Sequence, residues 1–238
     1  MKRLDLSLAD PASDLALDEA LLQQAEAGAG GEVLRLWAFD RPVVVIGRGS
    51  RWRGEANPEY CQQQGIPILR RCSGGAAIVG EPGCLMYSVV LSLQLRPELR
   101  HVDEAHRMVM GRLLHALAPP VPTVQWQGTC DLTVDGRKFS GNSLRVARHH
   151  LLYHGTILHS ADLQRIACCL GTPPRQPDYR GGRPHADFIT NVTVDPRRLA
   201  DDLAASFGAL ESLQPWPQAA TAELLQQRYA DPAWHQRH

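Results

Sequence analysis

The 238-residue sequence has no net charge, no long apolar run and no paired-cysteine motif. Each absence removes a class of function. A formal charge of +0 offers no global field for nucleic acid or an anionic membrane. No run approaches the ~20 apolar residues of a membrane span. The start, Met1-Lys2-Arg3-Leu4-Asp5, is basic but no apolar signal core comes after it, so a cytoplasmic protein is expected. Six cysteines fall at 61, 72, 84, 130, 168 and 169, with no Cys-x-x-Cys spacing. That suits neither a zinc knuckle nor a regular disulfide scaffold, and free, mostly buried thiols are expected. Dinucleotide and P-loop fingerprints are also missing. Gly47-Arg48-Gly49 is too short for the first, and no Gly-Lys-Ser/Thr closes the second.

What is present is ordinary globular material, 44% apolar and 21% charged. The pattern alternates helices with short strands. A helix is expected over residues 14–28, with Ser13 as N-cap and Gly28 as stop. Strands are expected over 32–38 and 42–47, where Val43-Val44-Val45-Ile46 reads as buried on both faces. Asn57 and Pro58 open a short helix. Next come strands over 66–71 and 84–93, a helix over 102–117, a strand over 149–158 and a helix over 161–170 capped by Ser160. Two helical stretches, 196–207 and 219–229, finish the pattern. His149 and His150 adjoin and would point to opposite faces of a strand, and His154 has no carboxylate at ligand spacing, so no metal site is expected. There is no internal repeat and no sign of a second domain.

Residues 131–140 form the informative stretch. Asp135-Gly136 is the turn of a two-residue hairpin, which needs positive φ. The register pairs Val134 with Arg137 and Thr133 with Lys138. Simple alternation then places Lys138 with Thr133, Asp131 and Ser140, and places Leu132, Val134 and Phe139 on an apolar face. Cys130 falls on the apolar side. Upstream, Arg70-Arg71-Cys72-Ser73-Gly74-Gly75-Ala76-Ala77-Ile78-Val79 joins two arginines to a loop of small residues, a pattern able to hold phosphate or carboxylate. Residues 172–187, rich in Pro, Arg and Gly, make a long loop with no assigned role.

Three stretches together resemble the lipoate–protein ligase A family, within the wider biotin and lipoate ligase group. They are Leu36-Trp37 with Val45-Ile46-Gly47-Arg48, then Arg70-Arg71-Cys72-Ser73-Gly74-Gly75-Ala76, then Asp131-Leu132 with Arg137-Lys138-Phe139-Ser140-Gly141-Asn142-Ser143 and His154-Gly155-Thr156. The match runs from about residue 12 to about residue 195. The resemblance implies an α+β fold: one catalytic domain over 1–238, with a mixed, mainly antiparallel sheet flanked by helices and no C-terminal accessory domain. It implies an enzyme that joins lipoate or octanoate to one lysine of a lipoyl carrier domain, through an acyl-adenylate made from ATP with Mg2+. Carriers would be 2-oxoacid dehydrogenase E2 chains or the glycine-cleavage H protein. By the resemblance Lys138 contacts acyl carbonyl and phosphate; Asp131, on the Lys138 face, is expected either to hold the lysine charged and oriented or to make a strand-edge hydrogen bond. Arg71, Ser73, Gly74, Gly75, Ala76, Ala77, Ile78 and Val79 would hold the nucleotide. Arg48, Ser140, Gly141, Asn142, His154 and Gly155 would meet the acyl substrate, and Val43 to Ile46 would wall an acyl tunnel.

The chain departs from the ligase pattern at Ala76, where the loop's third glycine stands, and at Val79-Gly80-Glu81, where ligases carry an aromatic–His–Asp run. The missing accessory function would fall to a separate subunit. The alternative is an octanoyltransferase that takes its acyl group from an acyl carrier protein, with Cys130 as thioester nucleophile. A non-catalytic acyl- or carrier-binding protein is a third reading. Biotin ligation fits less well, because that branch has a different arginine- and glycine-rich signature.

Overall fold

The computed structural model describes residues 1–172 and 176–237. In chain order the elements are β1 (Lys2–Asp5), α1 (Pro11–Glu26), β2 (Val33–Trp37), β3 (Val43–Ile46), α2 (Trp52–Glu55), α3 (Pro58–Gln63), β4 (Ile68–Arg70), β5 (Ile78–Gly80) and β6 (Cys84–Ser92). Then come α4 (Val102–Leu117), β7 (Gln125–Gln127), β8 (Asp131–Val134), β9 (Arg137–Val146), β10 (His150–Leu158), α5 (Leu163–Cys169), α6 (His185–Phe188), α7 (Pro196–Phe207), β11 (Glu211–Ser212), α8 (Gln218–Leu224) and α9 (Pro232–Gln236).

Eight strands form one sheet in the order β11-β1-β2-β6-β10-β9-β8-β7. Within it only β1 runs parallel to its neighbours; the other pairings are antiparallel. A second sheet, β4-β3-β5, is mixed. The α+β class expected from sequence is the class observed.

Alternation assigns the two faces of the large sheet. Tyr87, Val89, Leu91, Leu151, Tyr153 and Ile157 pack with Val109, Met110 and Leu113 of α4 and Leu199 and Leu203 of α7. The opposite face receives α1, through Leu17, Leu21 and Leu22, and the small sheet. Twelve of the sixteen α1 residues are buried, including Asp14, Asp18 and Glu19, so this helix sits inside the molecule. The candidate site lies on this second face, between the sheets. No described helix is long and apolar enough to cross a membrane.

Two caps differ from expectation. Asp10, not Ser13, caps α1, accepting the Ser13 N–H while Pro11 takes the first helical position. Asp162, not Ser160, caps α5. In both cases an aspartate close to the expected hydroxyl residue reaches the free N–H groups.

Candidate active site

The hairpin that carries Lys138 turns at Asp135 and Gly136, with φ of 51° and 70°. Val134 pairs with Arg137 and Thr133 with Lys138, as expected. Beyond that point the register shifts. Leu132 pairs with Ser140 and Asp131 with Gly141, leaving Phe139 as the extra residue of a bulge. This corrects the expected placement of Ser140. It lies buried on the Leu132 side with Phe139, and Gly141 takes its place beside Lys138. Gly141 matters for its missing side chain, since an added Cβ would come within 2.7 Å of the Lys138 Nζ.

Lys138 Nζ lies 2.7 Å from Asp131 Oδ1, with the two side chains 28% and 13% exposed. The other carboxylate oxygen accepts a 2.7 Å hydrogen bond from the Tyr179 hydroxyl. The pair therefore sits half inside the protein, with one oxygen for each donor.

The small-residue loop is stapled by its own arginine. Arg71 donates to the carbonyls of Val45 (3.0 Å), Gly74 (2.6 Å) and Ala76 (2.9 Å) and to Ser73 Oγ (3.1 Å). Burial lowers the Arg71 pKa to about 10. Its direct acceptors are neutral oxygens, and the Glu55 carboxylate, which accepts from the same loop at Ala77, offsets part of its charge. Gly75, at φ +85°, is required here because a Cβ would meet Arg71 Nη2 at 2.8 Å. Arg70 does not join the site. Its guanidinium donates to the carbonyls of Gly47, Arg48, Ser50, Trp234, His235 and Arg237, and so ties the C-terminal segment to the loop after β3.

A polar chain runs beneath the loop. Ser73 Oγ lies 2.5 Å from His154 Nε2, and His154 Nδ1 lies 3.1 Å from Asp18 Oδ2. Asp18 also accepts from Ser88 at 2.6 Å and Arg35 at 2.8 Å. Burial alone would raise the Asp18 carboxyl, but the His154 hydrogen bond and the Arg35 charge bring it below its usual value.

Two cavities meet at these residues. One has an apolar wall from Leu15, Trp37, Val45 and Met86 and a polar rim that includes Arg71, Asn142 and His154. The other is walled by Ile78, Phe139, Leu158 and Phe188 and carries Arg180 and His185. Lys138, Ala76, Ala77, Ile78, Gly141 and Thr156 line both. Among the described residues, Lys138 is the only cation on that shared seam.

Several expected contributors play other parts. Of Val43 to Ile46, only Val45 lines the first cavity; the rest are packed elsewhere. The Arg48 side chain is exposed and lines neither cavity, while its N–H donates to Ser73 O at 2.7 Å. The Ala77 N–H is donated to Glu55 Oε2 at 2.8 Å. Asn142 is braced by Tyr87, at 2.5 Å, and by the Cys130 carbonyl, at 2.7 Å; a side chain at Gly155 would collide with it. Glu81, from the departing Val79-Gly80-Glu81 run, is buried away from the seam and accepts the Asp162 N–H at 2.6 Å. Arg175 lies outside the described residues.

Cys130 faces the α4 side, where its thiol donates to Asn142 O at 3.0 Å. Burial, with the Asp131 charge, pushes the thiol up to about 11. That is the opposite of a thiolate environment. No cysteine lines either cavity among the described residues.

Sequence reasoning missed Asp18, Glu55, Tyr87 and Tyr179. The signal for Asp18 was available: three acidic residues, Asp14, Asp18 and Glu19, interrupt an otherwise Leu/Ala-rich helix. Tyr179 had no comparable signal.

The family model described as the lipoyl protein ligase A/B catalytic domain matches residues 10–195. The chain belongs to that family. Among relatives, octanoyltransferase LipM of Carboxydothermus hydrogenoformans is 31% identical over 172 residues, covering 65% of this chain and 63% of that protein. Octanoyltransferase LipM of Brevibacillus brevis is 26% identical and covers 95% of both. Lipoate-protein ligase LplJ of Bacillus subtilis is 23% identical, covering 77% of this chain and 53% of its own length. The chain spans roughly half to two thirds of the curated relatives matched first. By fold, a crystal structure of lipoate-protein ligase A bound with ATP aligns with a TM-score of 0.83 at 20% identity, covering 99% of this chain and 98% of the other. The bipartite lipoate protein ligase of Thermoplasma acidophilum, studied with its E2 lipoyl domain, gives 0.81 at 20% identity, covering 99% and 95%. Family relatives thus divide between ligases and octanoyltransferases.

Proposed function

We propose that this chain is a ligase of the adenylating kind. It activates lipoate or octanoate with ATP and passes the acyl group to a lysine of a lipoyl carrier domain. One observation supports the reading above all: Lys138 is the cation shared by an apolar cavity and a second cavity rimmed by Arg180 and His185, and no cysteine among the described residues lines either.

The chemistry needs that arrangement. A carboxylate oxygen attacks the α-phosphorus of ATP and pyrophosphate leaves. Two unit anions ~4 Å apart repel by about 4 kcal/mol at an effective dielectric near 20. A cation between them offsets this, and its advantage grows as charge concentrates in the transition state. Lys138 stands at that junction, and Arg71 adds a buried positive charge whose direct acceptors are all neutral. In the second step the carrier's neutral lysine amine attacks the acyl carbon, AMP leaves and a proton is released. The first cavity has the mostly apolar lining that a medium acyl chain needs. Magnesium would arrive on the nucleotide phosphates. A separate accessory chain, as in the bipartite archaeal ligase, would supply any further adenylation machinery.

The octanoyltransferase reading has the LipM relatives in its favour, but it requires a thiolate at the seam. Cys130 is turned away and its thiol is held protonated.

Intact-mass spectrometry of an apo lipoyl domain tests the choice. One reaction holds octanoate, ATP and magnesium; the other holds octanoyl–acyl carrier protein without ATP. Acylation in the first alone is expected. Acylation in the second alone would replace the proposal with the transferase.

A further inference from the structure

The arginine- and glycine-rich segment after α5 lies across the hairpin that carries Lys138, through its described part, residues 176–189. The Tyr179 hydroxyl donates to Asp131 Oδ2 at 2.7 Å, on the carboxylate whose other oxygen holds Lys138 Nζ at 2.7 Å. Burial and the Asp131 charge both raise the phenol's pKa, so the hydroxyl stays protonated and acts as a donor.

Contacts that do not involve the hydroxyl hold Tyr179 in place. Its ring packs against Phe188 with centroids 5.3 Å apart. It also lies against Gly128, where an added Cβ would come within 3.2 Å of Cε1. Arg183 Nη2 donates to Tyr179 O at 2.8 Å and to Gly136 O at 3.0 Å, tying the segment to the tip of the hairpin. The buried Arg180 guanidinium stacks 4.7 Å from the Phe188 ring centroid and donates to Arg183 O at 2.9 Å. Deleting only the hydroxyl therefore leaves the segment's packing in place.

A carboxylate facing one ammonium can offer it either oxygen or both. The phenol takes up Oδ2 on one side and Lys138 meets Oδ1 on the other, so the hydroxyl biases the ammonium toward Oδ1. An ammonium has three N–H donors. One is spent on Oδ1, and two remain for the seam, where Gly141 leaves room.

We propose that Tyr179 is a positioning residue for Lys138. Acting through Asp131, its hydroxyl fixes where the ammonium stands and keeps two donors free for acyl and phosphoryl oxygens. The inference rests on the ligase reading of Lys138.

The test is a double-mutant cycle with Tyr179→Phe and Asp131→Asn, read as steady-state carrier acylation from octanoate and ATP, with Lys138→Ala alongside. Tyr179→Phe is expected to lower kcat about tenfold while leaving the KM for the carrier within about twofold, as for one hydrogen bond to a charged group. The phenylalanine variant keeps the ring, so its melting temperature should match the parent. Because Tyr179 acts through Asp131, adding Tyr179→Phe to Asp131→Asn should cost nothing more. A parental kcat in Tyr179→Phe would overturn the inference. So would two losses that multiply in full, which would mean an independent contact. A parental rate in Lys138→Ala would instead overturn the role of Lys138 on which this inference rests, while a parent protein silent with octanoate and ATP would overturn the ligase reading. A dead Lys138→Ala beside an unimpaired Tyr179→Phe would sink this inference alone.

Discussion

The two faces of the β8–β9 hairpin are built from interleaved residues and do opposite work. One face carries Asp131, Thr133, Lys138 and Gly141; of these Lys138 and Gly141 line both cavities, and Lys138 is ion-paired with the partly buried Asp131. The other carries Leu132, Phe139 and Ser140, all at most 1% exposed, with the Cys130 thiol beside them against the α4 core, although Phe139 and Ser140 also contribute to the wall of the second cavity. The bulge at Phe139 adds a second successive residue to the buried side and makes Gly141 the neighbour of Lys138. A few residues thus separate a cavity-lining ammonium from a core-facing thiol, and the pleat decides which is which.

The contrast between the faces is most exposed to failure at Lys138. Replacing it by Ala should lower carrier acylation on the order of a thousandfold, about 4 kcal/mol of transition-state stabilisation, with little change in melting temperature. A combined loss of rate and fold would mean that the two faces are not separable. Phe139→Ala should show the converse: a stability loss of about 3 kcal/mol in denaturant unfolding, from a cavity in the core. Gly141→Ala should lower kcat by about tenfold while the protein melts normally, because the methyl displaces a flexible lysine tip rather than backbone.

A smaller effect concerns His185, on the segment covering the Lys138 face. Burial, with the Arg180 and Lys138 charges, pushes its pKa down to about 4. The unfolded chain binds that proton near pH 6.5. The unfolded state therefore holds more protons between these values, and stability is complete above about 6.5 and is lost as pH falls toward 4. Denaturant midpoints should fall over that window, and His185→Gln should flatten part of the slope. The smallest effect is expected at Cys130. Cys130→Ser keeps a donor for Asn142 O, so activity should stay within about twofold of the parent.

Much of this hairpin was legible in the sequence. Asp-Gly fixed the turn because few other pairs tolerate two positive φ values, and the near-turn register came with it. Ser140 was not legible, because alternation carries no signal for an extra residue and a bulge reverses the face of the residues beyond it. Arg70 and Arg71 look equivalent in sequence. Only tertiary structure turns one toward the C-terminal carbonyls and the other beneath the 73–76 loop. The short strands β5 and β7 carry too few residues for a period-2 pattern. Tyr179 reaches Asp131 across 48 positions, a contact that no local pattern encodes.

The most direct measurement of the central claim compares Lys138→Ala and Cys130→Ser in one assay. Initial rates of octanoyl transfer to an apo lipoyl domain would be followed by intact mass, with octanoate, ATP and magnesium supplied. Silence is expected from Lys138→Ala and a near-parental rate from Cys130→Ser. The contradiction would be the reverse: an active Lys138→Ala, a dead Cys130→Ser, and an octanoyl adduct trapped on Cys130 of the parent protein.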